Sequence, residues 1–200
     1  LTLGREVPAQ LGLLPTGTGQ PRPVTADAIN HQWATFLPDG KTLLFEGNEP
    51  GKSTRLYLQP IEGGTPRPLT PEGFRLVNTP RSVSPDGKTA VVMAPDNSLS
   101  LLTLADGSLR PIPKHYGDGI IGWDVSGKFL LISVYRNEQW GTDRLDPVSG
   151  AREPDKTLPV ADRAGVPRGA MMVRISADGK MIVYSYSQSF SRLYLVEGLK

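Results

Sequence analysis

Four short apolar runs recur along the chain: Thr42-Leu43-Leu44-Phe45, Ala90-Val91-Val92-Met93, Phe129-Leu130-Leu131-Ile132 and Met181-Ile182-Val183-Tyr184. Each is entered through a polar turn in which glycine precedes lysine. The turns read Leu37-Pro38-Asp39-Gly40-Lys41, Ser84-Pro85-Asp86-Gly87-Lys88, Val125-Ser126-Gly127-Lys128 and Ala177-Asp178-Gly179-Lys180. A shorter mixed apolar stretch precedes each turn. Short apolar runs bounded by turn residues read as strands, and an Asp-Gly pair between two of them reads as a tight hairpin with positive φ angles. Elsewhere polarity alternates, with Leu56, Leu58 and Pro60 set against Arg55, Tyr57 and Gln59. That is the period of two expected of a strand.

The turn glycines Gly40, Gly87, Gly127 and Gly179 stand 47, 40 and 52 residues apart. A self-similar hairpin period of this size is the signature of a β-propeller blade. The expected fold is therefore all-β, a β-propeller or propeller arc of four-stranded antiparallel blades. In the clearest copy the strands fall at 32–36, 42–46, 55–60 and 67–70. The next copy runs from 76 to 112 with its third strand at 99–104, and the one after from 120 to 153 with its third strand at 143–146. The last begins near 170 and reaches a third strand at 192–197. Before them, Leu11 to Pro15 reads as a third strand, and Gln20-Pro21-Arg22-Pro23-Val24-Thr25 matches Thr65-Pro66-Arg67-Pro68-Leu69-Thr70. The approximate blades are 26–70, 71–113 and 114–160, with partial blades at 1–25 and 161–200. An open arc exposes sheet edges. Three outcomes stay open: closure by pairing the partial blades, a homo-oligomer that completes the ring, or completion by sequence outside this chain. The start partway through a blade, at Leu1, favours the last two over a closed monomer.

Composition narrows function by exclusion. The 22 glycines and 19 prolines are spaced as punctuation, which suits a turn-rich β protein. With 22 basic and 20 acidic residues the net charge is +2, too balanced to argue for nucleic acid. The chain has no cysteine, so disulfides, thiolate metal sites and a cysteine nucleophile are excluded. No apolar run approaches the roughly 20 residues that a membrane-spanning helix needs.

The repeats resemble the TolB-like, WD-type propeller repeats of bacteria, whose hallmark is Ser-Pro-Asp-Gly-Lys entering an apolar strand. The stretch from Trp33 to Arg55, with Phe45-Glu46-Gly47-Asn48-Glu49-Pro50-Gly51, is similar to the carboxy-terminal propeller of acidobacterial-type eukaryotic-like serine/threonine kinases. So is the ending Tyr184-Ser185-Tyr186 with Leu193-Tyr194-Leu195-Val196-Glu197-Gly198-Leu199-Lys200. The resemblance covers essentially the whole chain and would place Lys200 at or near the natural carboxy terminus. It implies a bacterial signalling protein whose kinase domain lies upstream, and an extracytoplasmic propeller where the parent is membrane-anchored. The compartment is otherwise left open. The third copy departs from the hallmark, with Val125-Ser126 in place of Pro-Asp, which leaves its turn type open.

Candidate chemistry is sparse. There is no Gly-rich phosphate loop, His-Arg-Asp loop or Asp-Phe-Gly of a kinase, and no Gly-x-Ser-x-Gly elbow. Two histidines, His31 and His115, give a hydrolase triad little to draw on. Asp39, Asp86 and Asp178 read as turn residues that bond the local backbone, not as metal ligands. No catalytic residue, metal site or cofactor is expected. The expectation is a non-catalytic propeller that binds a protein, peptide or small-molecule ligand. The alternative is the gating, substrate-selecting propeller of a prolyl-oligopeptidase-like hydrolase. Binding residues concentrate on loops that project from rigid scaffolds. The longer polar-aromatic loops, at 27–31, 48–53, 70–75, 114–118, 136–140 and 162–168, all fall on one rim. His31, Arg75, His115, Tyr116, Arg136, Trp140 and Arg168 are the candidate binding residues there, with Trp140 as an exposed anchor. Trp33 and Trp123, in expected first strands, read as core.

Overall fold

The computed structural model of the chain describes residues 8–113, 119–137, 139–159, 172–176 and 178–185. All its regular structure is antiparallel β, in five sheets taken in chain order. The first pairs β1 (Gly12–Leu13) with β2 (Arg22–Pro23). Three four-stranded meanders follow. They are β3 (Asn30–Phe36), β4 (Thr42–Asn48), β5 (Arg55–Pro60) and β6 (Arg67–Pro68); then β7 (Arg75–Leu76), β8 (Thr89–Met93), β9 (Leu99–Thr103) and β10 (Leu109–Pro111); then β11 (Gly119–Trp123), β12 (Leu130–Arg136), β13 (Gln139–Leu145) and β14 (Arg152–Leu158). The last sheet pairs β15 (Met172–Ile175) with β16 (Ile182–Ser185). The expected 192–197 strand lies outside the described residues.

The repeated turns close by a four-residue route, and only the glycine takes positive φ. Gly40, Gly87, Gly127 and Gly179 have φ of 64°, 70°, 69° and 73°, whereas the residues before them, Asp39, Asp86, Ser126 and Asp178, do not reach positive values. Each glycine amide donates to the carbonyl three residues back, Leu37, Ser84, Asp124 and Ser176, at 3.0, 2.9, 3.2 and 2.9 Å. That is a type I turn ending in a left-handed glycine. The aspartate supports the turn with its side chain. Asp39 accepts from the Lys41 and Thr42 amides at 2.8 and 2.9 Å. Asp86 and Asp178 accept from the Ser84 and Ser176 hydroxyls at 2.6 Å and from the Lys88 and Lys180 amides. In the divergent third copy Asp124 takes over, accepting from Ser126, Lys128 and Phe129. The turn is thus the same in all four copies. These bonds hold the carboxyls below the ordinary aspartate value. The main cause is the Lys41 amide for Asp39, the Ser84 hydroxyl for Asp86 and the Ser176 hydroxyl for Asp178. At Asp124 burial pushes upward, and the bonds together outweigh it.

The second strands of the three four-stranded sheets, β4, β8 and β12, are buried on both faces, which is why they read as continuous apolar runs, whereas β16 leaves Val183 exposed. In β4, Leu43 and Phe45 join Val24, Ile29 and Tyr57 against the first sheet. Leu44, one residue out of phase, joins Leu56, Leu69, Ala90, Val92, Leu102 and Leu104 against the next. The pattern repeats: Val91, Leu99 and Leu101 pack on Trp123, Leu130, Ile132, Val134 and Leu145, and Leu131 packs on Ile121, Trp140, Leu158 and Val173. Successive sheets are thus glued face to face by four separate cores, the stacking of propeller blades. Among the described residues the sheets form an arc that is not closed.

Candidate functional site

The innermost strands differ in length, and this difference opens the molecule at one place. β3 has seven residues and β11 has five, but β7 has two. After Leu76 the chain leaves β8, and only an isolated bridge between Val83 and Ala90 restores pairing. Residues 77–82 turn instead towards the third four-stranded sheet. The Trp123 amide donates to the Arg81 carbonyl at 3.0 Å, and its indole Nε1 donates to the Ser82 carbonyl at 3.2 Å. The Thr79 hydroxyl donates to the Ile121 carbonyl. The side facing β3 is left open as a cleft of about 350 Å³, lined by Gln32, Trp33, Thr35, Glu46, Arg75 and Asn78 among others.

A β-bulge aims Trp33 into this cleft. His31 pairs with Gly47 and Ala34 with Phe45, so Gln32 and Trp33 together stand opposite the single residue Glu46, one more than regular pairing allows. Bulges re-aim side chains in this way, and they are common beside binding sites. Trp33 is 64% exposed, so the expectation that it belongs to the core is corrected. Glu46 sits at the cleft's base, 4% exposed. Its Oε1 accepts from the Leu76 amide, which ties β4 to β7. Burial pushes its carboxyl above the ordinary glutamate range, opposed by the Leu76 amide and then by the Arg75 charge. Arg75 is exposed at the edge, its guanidinium donating to Asn97 Oδ1 at 3.1 Å and lying 3.6 Å from Met93 Sδ.

The other candidates have different surroundings. His31 was expected in a loop but lies on β3. It is 3% exposed, its Nε2 is 2.9 Å from Asp27 Oδ1, and its ring is 4.7 Å from that of Phe45. Trp140 was expected as an exposed anchor, yet β13 carries it into the core at 9% exposure, 5.1 Å from the Tyr135 ring. The expected 136–140 loop is the end of the β12–β13 hairpin, where Arg136 pairs with Gln139 and Asn137 takes a φ of 47°. A hairpin this tight extends both strands, so Trp140 lies over the sheet instead of projecting from a loop. Arg136 is held by Asp143 and, with Trp140, lines a separate cleft of about 210 Å³. Arg75 and Arg136 therefore do not share a site. His115, Tyr116 and Arg168 lie outside the described residues. Trp33 and Glu46 were missed as site residues, although a charged Glu46 closing an apolar run was a visible signal.

No protein-family model matches the chain. No curated protein sequence matches it. Solved structures do. TolB from Acinetobacter baumannii matches 91% of this chain and 44% of its own at 22% identity, with a TM-score of 0.63. An oligogalacturonate lyase from Vibrio parahaemolyticus matches 90% of this chain and 54% of its own at 14% identity, with a TM-score of 0.57. A prolyl endopeptidase matches 80% of this chain and 26% of its own at 12% identity, with a TM-score of 0.53. The chain thus spans 44% of the TolB chain, 54% of the lyase and 26% of the endopeptidase, less than two thirds of each. Likeness at these identities speaks to fold, and a fold hosts many functions. The arc of stacked four-stranded meanders is that of a TolB-like β-propeller.

Proposed function

We propose that this chain is a non-catalytic recognition propeller and that the cleft between β3 and β7 is where it holds its ligand or partner. One observation carries the reading: an indole 64% exposed, presented by a bulge on a rigid sheet into a cleft with both polar and apolar walls. A large apolar ring held out to water gains from a partner that covers it, and aromatic anchors in pockets dominate binding energetics. The resemblance of residues 33–55 and 184–200 extends the proposal to context, the sensor or interaction domain of a larger bacterial serine/threonine kinase.

The test is a thermal-shift screen of a peptide and metabolite library against wild type and Trp33→Ala, with turnover followed in parallel. Ligands are expected to raise the wild-type midpoint by mass action and to lose that effect in the variant. Turnover of ester, peptide or nucleotide substrates by the purified chain overturns the non-catalytic reading. Ligands that shift both proteins equally move the site elsewhere. The kinase context is read from the coding sequence upstream of Leu1: a kinase domain there supports it, and an α/β-hydrolase domain in the same polypeptide overturns it.

A further inference from the structure

We propose that the cleft selects a cation, an ammonium or guanidinium group on an aliphatic stem, with Glu46 as its counter-ion and Trp33 as the platform for the stem. This rests on the reading of the cleft as the recognition site. Glu46 is almost fully buried, yet among the described residues no basic side chain lies within ion-pair distance of it. Only one of its oxygens is engaged, by the Leu76 amide. No hydrogen bond among the described residues reaches Oε2. Arg75, the nearest candidate counter-charge, is turned aside by Asn97 and Met93.

A carboxylate taken out of water without a cation or a full set of donors is costly to the fold. Elsewhere among the described residues buried carboxylate groups are paired: Asp143 with Arg136, and Asp155 with Arg144 and Thr142. Glu46 differs from them in having no basic partner, and because it lines a cleft a ligand can supply the missing charge. Directly opposite stands the exposed indole of Trp33, whose π face attracts cations and whose surface suits a methylene stem. Gln32, Thr35 and Asn78 add neutral donors and acceptors around them. The same chemistry is offered by a free amine and by a lysine or arginine side chain of a protein partner.

Calorimetric titration at neutral pH and low salt separates these cases. The probes are Nα-acetyl-lysine amide, its norleucine counterpart, Nα-acetyl-glutamate amide, 1,5-diaminopentane, and a capped Ala-Ala-Lys-Ala-Ala peptide. The lysine probes are expected to bind at least about tenfold more tightly than the norleucine and glutamate ones. Glu46→Gln keeps the acceptor for the Leu76 amide and removes the charge. It should weaken lysine binding by about tenfold or more with an intact unfolding transition. Trp33→Ala, at an exposed position, should weaken it by about threefold or more. The diamine binding as tightly as the peptide identifies a free amine as the source, and tighter peptide binding identifies a protein partner. Equal binding of the lysine and norleucine probes, or undiminished lysine binding by Glu46→Gln, overturns the cation assignment. Failure of every probe to bind at millimolar concentration overturns it too, while the recognition reading stands or falls separately on the Trp33→Ala library screen.

Discussion

Phe36 and Trp123 occupy the same place in the repeat, four residues before the turn glycines Gly40 and Gly127, yet they end in opposite environments. Trp123 is 3% exposed and hydrogen-bonded through its indole to Ser82, whereas Phe36 is 52% exposed. The repeat dictates that a large apolar side chain points off the innermost strand at this position. Whether it is buried depends on the sheet before it. Trp123 has a complete four-stranded sheet to pack on, whose residues 77–82 close over it. Phe36 is preceded, among the described residues, by the two-stranded β1–β2 sheet. Gly122 sharpens the contrast. At φ 133° it lies so close to Arg81 that a Cβ would meet the Arg81 carbonyl oxygen at 2.9 Å. The equivalent position in the first four-stranded sheet is Thr35, which lines the open cleft.

Truncating the two aromatics gives the largest expected effect. Trp123→Ala should cost roughly 3–5 kcal/mol in denaturant unfolding, since it empties a closed core. Phe36→Ala should cost about 0.5 kcal/mol or less, the usual range for a surface change. Equal costs would show that Phe36 is covered in solution and would break the comparison. Next comes Gly122→Ala, which adds left-handed strain to a clash with backbone and should cost roughly 1–3 kcal/mol. Thr35→Ala is expected to be near neutral, and a Gly122→Ala variant as stable as wild type would dissociate the close approach from core closure.

A smaller effect is expected at the base of the cleft. Burial raises the folded pKa of Glu46 above its ordinary 4.5. A raised value means that its contribution is full below the unfolded pKa and is lost as pH rises through the folded one. Glu46→Gln should therefore be modestly more stable than wild type at neutral pH, with the gap closing below about pH 4. A constant gap across that window would remove burial as its cause. The turn aspartates act with the opposite sign. Their lowered folded values mean stability that is present above the unfolded value and lost as pH falls through the folded one. Asn at Asp39, Asp86 or Asp178 should each flatten the acid limb of the unfolding profile below about pH 4, with the smallest effect of the series. An unchanged limb in the triple variant would assign acid sensitivity elsewhere.

Much of the fold was legible because its determinants are local. The turn bonds of Asp39 span two or three residues, and the apolar runs carry the two-faced burial of β4, β8 and β12 in their own composition. The candidate site was legible only at Arg75. His31 and Trp140 were read as loop residues because the adjoining strands extend past the polar stretches that mark turns. Trp33 was read as core because a strand with unbroken alternation would have turned it inwards. One extra residue opposite Glu46 shifts that phase, and nothing in the composition of Gln32-Trp33-Ala34 announces it.

By itself, then, the sequence determined the hairpins, their order, and the stacking of apolar strands into successive cores. Those depend on backbone preferences and on a period of two within short windows. Tertiary structure decided which aromatic is buried and where the molecule opens. The contacts responsible join residues 30 to 42 apart: Glu46 to Leu76, Trp123 to Ser82, and Thr79 to Ile121. Such bonds commit a segment like 77–82 to one neighbour at the expense of the other. That choice is made by competing surfaces of two sheets, which no short window of the chain contains.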